Sequence, residues 1–221
     1  MEADAKQIAY HLKVDYPSFQ PESDSSLSEI NAIVYGLILQ HVGERRLSVS
    51  HPEVRDDLRE RGWASTQDSL RIMFDVHLLT ADLVSISFLI SHYGAGAAHQ
   101  MYHTRTMNFL RRPVCPLSTD TIFRPDSLPV LSDYCYQELA SQLSRIGMIP
   151  NERQGGWLSN GVSPKRENFR ALVLTKEGAT IFFDPYQVGP FAIGRMEVRV
   201  TRSVIEPLMV PGVRQIFSNV D

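Results

Sequence analysis

Three histidines lie near one another in the sequence and are the first residues to consider for chemistry: His92, His99 and His103. His99 and His103 are an even number of positions apart, so on one strand their side chains would share a face. A metal site needs at least a third converging ligand, and none has the usual spacing. We therefore interpret the three as hydrogen-bonded strand or loop residues and expect no metal. A hydrolase that uses this cluster is the remaining catalytic alternative.

The sequence contains no motif of catalysis or cofactor binding. GxSxG, HExxH, Walker A and CxxC patterns are all absent. The stretch GAGAAH (94–99) superficially suggests a phosphate loop, but no helix is predicted after it and no Lys-Ser/Thr pair is present. Gly94 and Gly96 are better explained by a tight turn between two strands. The sequence thus predicts a protein that is not an enzyme and needs no cofactor.

The two cysteines, Cys115 and Cys135, allow two interpretations. A disulfide between them would close a loop of about twenty residues and add roughly 3 kcal/mol of stability. Alternatively both are free thiols, since Cys135 falls on a predicted helix face and cysteine behaves as a small apolar residue.

Composition and charge exclude several classes of partner. The net charge is −3, with 22 Lys+Arg against 25 Asp+Glu, so neither nucleic acid nor an anionic lipid surface is expected as a partner. The longest apolar run, 32–42, is too short to span a membrane. The N-terminal residues MEADAKQIAY lack the regions of a signal peptide. The protein is therefore either periplasmic or secreted, with its signal already removed, or cytoplasmic.

Residues 182–194, FFDPYQVGPFAIG, combine three Phe, one Tyr, two Pro and two Gly with a single charge, Asp184. Pro185 and Pro190 stiffen the segment and remove two backbone donors, which suits a strand that leaves a sheet. Gly189 and Gly194 can adopt conformations closed to other residues. Tyr186 and Phe191 then either cover the core, so that the segment only shapes the sheet, or face a partner. Asp184, before Pro185 in a turn, is expected to accept backbone hydrogen bonds.

One further aromatic residue, Trp157, stands in the polar, Gly-rich stretch NERQGGWLSNG (151–161). An exposed aromatic side chain in such surroundings can anchor a partner, since interface energy concentrates in these residues. The alternative is a Trp that folds back onto the domain.

Hydrophobic periodicity predicts an α+β fold: an antiparallel sheet with two long helices packed on it. Apolar residues at three- and four-residue steps indicate helices over 27–47 and 130–147, and a shorter charged helix over 52–62. Alternating or continuous apolar residues predict strands over 7–19, 70–80, 83–95, 99–110, 168–175, 180–184 and 196–201. The two-residue link Ala81-Asp82 predicts a hairpin. A short last helix is expected over 203–209.

Two stretches carry a resemblance to a known family. Residues 87–110, SFLISHYGAGAAHQMYHTRTMNFL, are similar to that family's strand, glycine turn and strand, which reads Tyr-x-Gly-Gly-Ala-His at the turn. Residues 167–194 are similar to its closing signature, Phe-Asp-Pro-Tyr-x-Val-x-Pro-Tyr-Ala-x-Gly. The chain thus resembles the RsiV-like extracytoplasmic domains, found in a lysozyme-sensing anti-sigma factor and beside peptidoglycan deacetylase modules. It departs from the pattern at Ala97, in place of the second glycine, and at Phe191, in place of a tyrosine.

The resemblance implies one RsiV-like domain over 1–221, with an opening half of about 7–112 and a closing half of about 113–210. It also implies a non-catalytic recognition domain of the bacterial envelope that binds a protein, such as a lysozyme-like or wall-associated one. The alternative is an immunity or inhibitor protein that neutralises a bacterial toxin. Trp157, Tyr186, Phe191 and His99 are the candidate partner-binding residues.

Overall fold

The structure is a computed structural model that describes residues 10–20, 24–50, 56–57, 60–62, 68–94, 97–148 and 156–220. Gly96 and most of the helix predicted over 52–62 lie outside these residues. The chain divides into two compact units. Unit 1 contains residues 1–74 and 88–103, and unit 2 contains residues 75–87 and 104–221. The single domain expected from the sequence stays a prediction.

In the described residues eight strands form two sheets, so the fold is α+β as predicted. The strands are β1 (Tyr10–Val14), β2 (Asp68–Leu79), β3 (Leu83–Tyr93), β4 (Met101–Arg111), β5 (Val114–Leu117), β6 (Leu172–Thr175), β7 (Gly178–Phe183) and β8 (Met196–Thr201). One sheet has the order β1-β2-β3-β4-β5 and the other the order β6-β7-β8. Thr80 N–H donates to Leu83 O at 2.9 Å and closes the predicted hairpin.

The expectation of a purely antiparallel sheet is wrong at one pair of strands. β1 runs parallel to β2, with Tyr10 opposite Asp68 and Val14 opposite Ile72. Parallel neighbours need a long crossover connection, usually a helix. Here the connection between β1 and β2 contains α1 (Ser25–Ser50). The other described pairs, β4–β5, β6–β7 and β7–β8, are antiparallel.

The other helices are α2 (Thr119–Ile122), α3 (Leu128–Arg145), α4 (Trp157–Gly161), α5 (Arg202–Ile205) and α6 (Pro211–Ser218). α3 ends at Arg145, two residues before the predicted end at 147; Gly147 has a φ of 75°, and Met148 N–H donates to Leu143 O at 3.0 Å. β5, α2, α4 and α6 were not predicted from the sequence. No helix in the described part of the chain is both long and apolar enough to cross a membrane.

In unit 1, buried apolar residues lie on α1, β2 and β3. Its fully buried apolar residues include Ile30, Val34, Ile72, Phe88 and Ile90. At the end of α1, the Arg45 guanidinium binds the buried Asp68 carboxylate, with Nε to Oδ1 at 2.7 Å, and also donates to Tyr93 O at 3.1 Å. This ion pair joins α1 to the start of β2 and the end of β3.

The core of unit 2 is a large apolar cluster between α3 and one face of the β6-β7-β8 sheet. Its members include Leu131, Cys135, Leu139, Leu143, Ile181, Phe183, Val198 and Val200. On the opposite face of β8, Glu197, Arg199 and Thr201 alternate with these buried residues, as expected for a half-buried strand. Ile146, which the helical pattern predicts to be inward, is 60% exposed because α3 has already ended at Arg145.

Candidate functional site: an exposed aromatic cluster

The chain leaves β7 through a tight turn formed by Asp184, Pro185, Tyr186 and Gln187. Gln187 N–H donates to Asp184 O at 3.0 Å, and Tyr186 has a φ of +70°. Proline second and a left-handed third residue are features of a type II turn, in which the third position favours glycine. A bulky side chain in this conformation costs about 1 kcal/mol or more. Tyr186 therefore holds an aromatic side chain at a position where folding alone favours a smaller residue.

Three aromatic side chains meet at this turn, and we call Trp157, Tyr186 and Phe191 the aromatic cluster. The Trp157 and Tyr186 ring centroids are 6.4 Å apart at 80°, and those of Tyr186 and Phe191 are 5.7 Å apart at 38°. Trp157 is 49% exposed and Tyr186 is 47% exposed, while Phe191 is half-buried. The structure thus brings together three of the four residues proposed from the sequence to bind a partner.

Gly161 and Gln187 position Trp157 beside Tyr186. A Cβ atom on Gly161 would lie 2.0 Å from the Gln187 carbonyl oxygen, so only glycine allows α4 to approach the turn this closely. The Gln187 side chain then donates to Gly161 O and to Asn168 O, both at 3.0 Å. The sequence analysis gives no role to Gln187, and Gly161 enters it only as the last residue of the polar, Gly-rich stretch 151–161.

The other residues of the 184–194 segment hold it in place. The Asp184 carboxylate accepts hydrogen bonds from both the backbone N–H and the hydroxyl group of Thr104 on β4. Pro190 begins a 3₁₀ turn, Phe191–Ile193, which ends at Gly194 with a φ of 73°, as expected for a position that needs glycine. The same expectation is wrong for Gly189, whose φ is not positive. A Cβ at Gly189 would lie 2.4 Å from Ile193 Cδ1, so the end of the Ile193 side chain would have to move to admit one.

His99, the fourth proposed partner-binding residue, belongs to unit 1. It is exposed, and its Nδ1 lies 3.3 Å from Gln100 O. Ala97 N–H donates to Gly94 O at 2.9 Å, while Gly96, the second glycine of the predicted turn, lies outside the described residues.

No His, Cys, Asp or Glu cluster of three or more side chains in the described residues could hold a metal ion. His92 is half-buried, and burial together with the nearby Arg45 lowers the pKa of its imidazole. The His103 ring centroid lies 5.8 Å from that of His41.

Both cysteines are free, so the disulfide alternative is wrong. Cys115 is exposed on β5, whereas Cys135 is fully buried in the core of unit 2. Burial, reinforced by Glu138, raises the pKa of the Cys135 thiol to about 12. Cys135 is therefore a core residue and no nucleophile.

Part of this chain is similar to a described family of domains. Residues 120–203 match the family described as a protein of unknown function, DUF3298. These residues include the turn at 184–187 and the aromatic cluster. A crystal structure of a DUF3298-family member from Bacteroides fragilis aligns with 99% of this chain and 91% of its own, with a TM-score of 0.65 and 19% sequence identity. That likeness shows a shared α+β fold.

Two curated relatives are similar in sequence. Peptidoglycan-N-acetylmuramic acid deacetylase PdaC of Bacillus subtilis is 23% identical over 202 residues, which cover 90% of this chain and 39% of that protein. Immunogenic protein MPT64 of Mycobacterium tuberculosis is 26% identical over 121 residues, which cover 53% of this chain and 49% of that protein. The chain spans less than half the length of either relative.

Proposed function

We propose that this protein is a non-catalytic recognition domain of the bacterial cell envelope that binds a protein partner through the aromatic cluster. The observation that carries the proposal is Tyr186, an exposed aromatic residue held at a positive φ between two other rings. Backbone strain of this kind is retained where the side chain serves a purpose that folding does not require.

The form of the cluster favours a protein partner. Its two ring pairs are tilted by 80° and 38°, so together they present ring edges and faces in different directions rather than one flat platform. Rings tilted in this way can insert between the side chains of a partner protein. Exposed Trp and Tyr residues supply much of the binding energy of protein interfaces. Their apolar area is large and few torsions are lost on binding.

Side chains occupy both edges of the β6-β7-β8 sheet, which argues against recognition by strand addition there. At the β6 edge, Leu174 N–H donates to Ser85 Oγ at 2.9 Å, and Asn108 Nδ2 donates to Leu172 O at 2.8 Å. At the β8 edge, Tyr134 and Gln142 of α3 donate to backbone carbonyls at 3.2 and 2.9 Å. A partner strand would have to displace these bonds, so exposed side chains are the better contact surface.

The envelope location is supported by the relative that acts on peptidoglycan, because its alignment extends over 90% of this chain. The resemblance to RsiV-like domains supports a lysozyme-like enzyme as the first partner to test. Both inferences concern where the domain acts and what it meets, and neither requires chemistry by the domain itself.

The test is biolayer interferometry with the immobilised domain and a muramidase such as hen lysozyme, with a basic protein of similar size as a control analyte. We expect saturable binding to the muramidase, weakened at least tenfold by Trp157→Ala. The matched control variant is Tyr35→Ala in unit 1, since Tyr35 has the same exposed fraction as Tyr186, 47%. Equal loss in both variants, or equal binding of the control analyte, would reject the cluster as the interface. Binding of a bacterial toxin but no muramidase would reassign the partner.

A further inference from the structure

A second surface of unit 2 is a cleft of about 530 Å³ on the polar face of the β6-β7-β8 sheet, bordered by β2. Its charged and titratable lining residues are Asp75, His77, Glu177, Arg195, Glu197 and Arg199. The volume lies in the range of small-molecule sites. None of these side chains belongs to the aromatic cluster, so the cleft is independent of the function proposed above.

Arg195 is held in the cleft without a carboxylate partner. Its guanidinium carbon lies 4.6 Å from the centre of the Phe182 ring, and Nη1 lies 3.4 Å from Thr104 Oγ1. Among the described residues Arg195 forms no ion pair, and it is half-buried. Glu197, which also lines the cleft, is paired with Arg199 at 3.2 Å. The planar guanidinium therefore keeps donors for a carboxylate from outside the chain.

His77, like Arg195, contacts the Phe182 ring, and it supplies a second hydrogen-bond donor to the cleft. Its ring centroid lies 6.0 Å from that of Phe182, and its Nε2 is 2.8 Å from Ser87 Oγ. When the Ser87 hydroxyl donates to Nε2, the proton of the neutral imidazole is on Nδ1. Nδ1 has no hydrogen-bond partner in the part of the chain that the structure describes. The neutral form predominates at pH 7, because burial lowers the pKa of His77.

Acidic side chains in the cleft favour a ligand that also carries a positive charge. Asp75 and Glu177 are exposed and form no ion pair within the described residues. With Glu197 and two arginines, the lining carries three negative and two positive charges while His77 is neutral. A purely anionic ligand would be repelled by this excess of negative charge, whereas a ligand with both charges would be attracted at each end.

We propose that the cleft binds a zwitterionic peptide or amino acid, with its carboxylate on Arg195 and His77 and its ammonium group near Asp75 and Glu177. The probe is alanyl-alanine, with its C-terminal amide and its N-acetyl derivative as matched compounds that each lack one charge. Binding is followed by NMR through the ring signals of His77, with the other histidines as internal controls.

We expect a saturable shift of the His77 signals with alanyl-alanine, at least tenfold weaker binding of both derivatives, and at least tenfold weaker binding to Arg195→Gln. The matched variant is Arg166→Gln, an exposed arginine outside the cleft that pairs with Asp120; it should bind the dipeptide as the wild type does. Equal binding of the amide would overturn the carboxylate site, and equal binding of the N-acetyl derivative would overturn the zwitterion assignment. These comparisons use the wild-type protein, so they hold even if Arg195→Gln does not fold. The outcome of these comparisons does not depend on muramidase binding, so this proposal can fail while the proposed function stands, and the reverse.

Discussion

The carboxylate of Asp184 binds Thr104, which lies 80 positions earlier in the chain, through both its backbone and its side chain. Thr104 N–H is 3.0 Å from each Asp184 oxygen, and Thr104 Oγ1 donates to Oδ1 at 2.8 Å. Thr104 is buried, with 4% of its surface exposed. Asp184 thus connects the end of β7 to the middle of β4 and fixes the start of the turn that presents Tyr186.

We expect Asp184→Ala to lower the free energy of unfolding by about 2–3 kcal/mol, because a buried N–H and a hydroxyl lose an ionised acceptor. The measurement is a urea titration followed by circular dichroism. Asp126→Ala is the control, since Asp126 is 77% exposed and, within the part of the chain that the structure describes, pairs only with Arg124; it should change stability by less than about 0.5 kcal/mol. Similar midpoints for the two variants would show that the Thr104 contact contributes little.

Gly161→Ala is expected to destabilise the protein by at least about 2 kcal/mol, since the added methyl group would collide with the Gln187 carbonyl. The variant should also separate α4 from the turn and weaken partner binding. Gly36→Ala in α1 is the opposite case: nothing lies within 4 Å of a Cβ there. It should add about 0.5–1 kcal/mol. Thermal melting of both variants checks the pair, and a stabilised Gly161→Ala would contradict the close contact described here.

Several elements could be predicted because their signals are local. Alternation along 196–201 and apolar spacing along 130–147 each identify one element and its buried face. The parallel pairing of β1 with β2 could not be predicted, because the pattern of a strand does not specify which strand lies next to it. Asp184 shows the same limit: an Asp-Pro step predicts a local turn, yet its acceptor role is toward Thr104, far away in the sequence.

The aromatic residues of the candidate site could be proposed from their residue types, but the residues that position them could not. Trp157, Tyr186 and Phe191 stand out because large aromatic residues are rare in polar or Pro- and Gly-rich stretches. Gln187 gives no such signal, since an amide next to a tyrosine is ordinary until its two carbonyl partners are known. The left-handed φ of Tyr186 also has no signature, because a turn of this type normally carries glycine or asparagine at that position.

Stability is expected to fall as the pH drops from about 7.5 to 5.5. Burial lowers the pKa values of His77 and His92 below 6.5 in the folded state. Between pH 6.5 and these lowered pKa values, the unfolded chain therefore binds more protons than the folded chain. A fall in pH through this range consequently favours unfolding. Urea midpoints at several pH values measure the effect. The double variant His77→Gln, His92→Gln should have a flatter profile; an unchanged slope would rule out these two residues as its cause.

The two thiols should differ completely in reactivity. We expect one thiol per folded chain to react with an aromatic disulfide reagent at pH 8, and two after unfolding in guanidinium chloride. Cys115 is exposed, whereas the Cys135 thiol is buried and has a pKa of about 12, so almost none of it is ionised. Cys115→Ser should remove the reaction of the folded protein. Detection of no free thiol in either state would show a disulfide instead.

Tyr186→Gly separates the role of this residue in folding from its role in binding. Glycine relieves the positive φ, a gain of about 1 kcal/mol, while the variant loses two ring contacts worth about 0.5–1.5 kcal/mol each when fully packed. Because Tyr186 is 47% exposed, these contacts contribute less, and the net change in stability should be within about 1 kcal/mol. Binding of the muramidase should nevertheless weaken at least tenfold. Tyr186→Phe keeps the ring and should bind as the wild type does. If Tyr186→Gly bound the partner normally, the strained tyrosine would serve the fold alone and the interface would have to lie elsewhere.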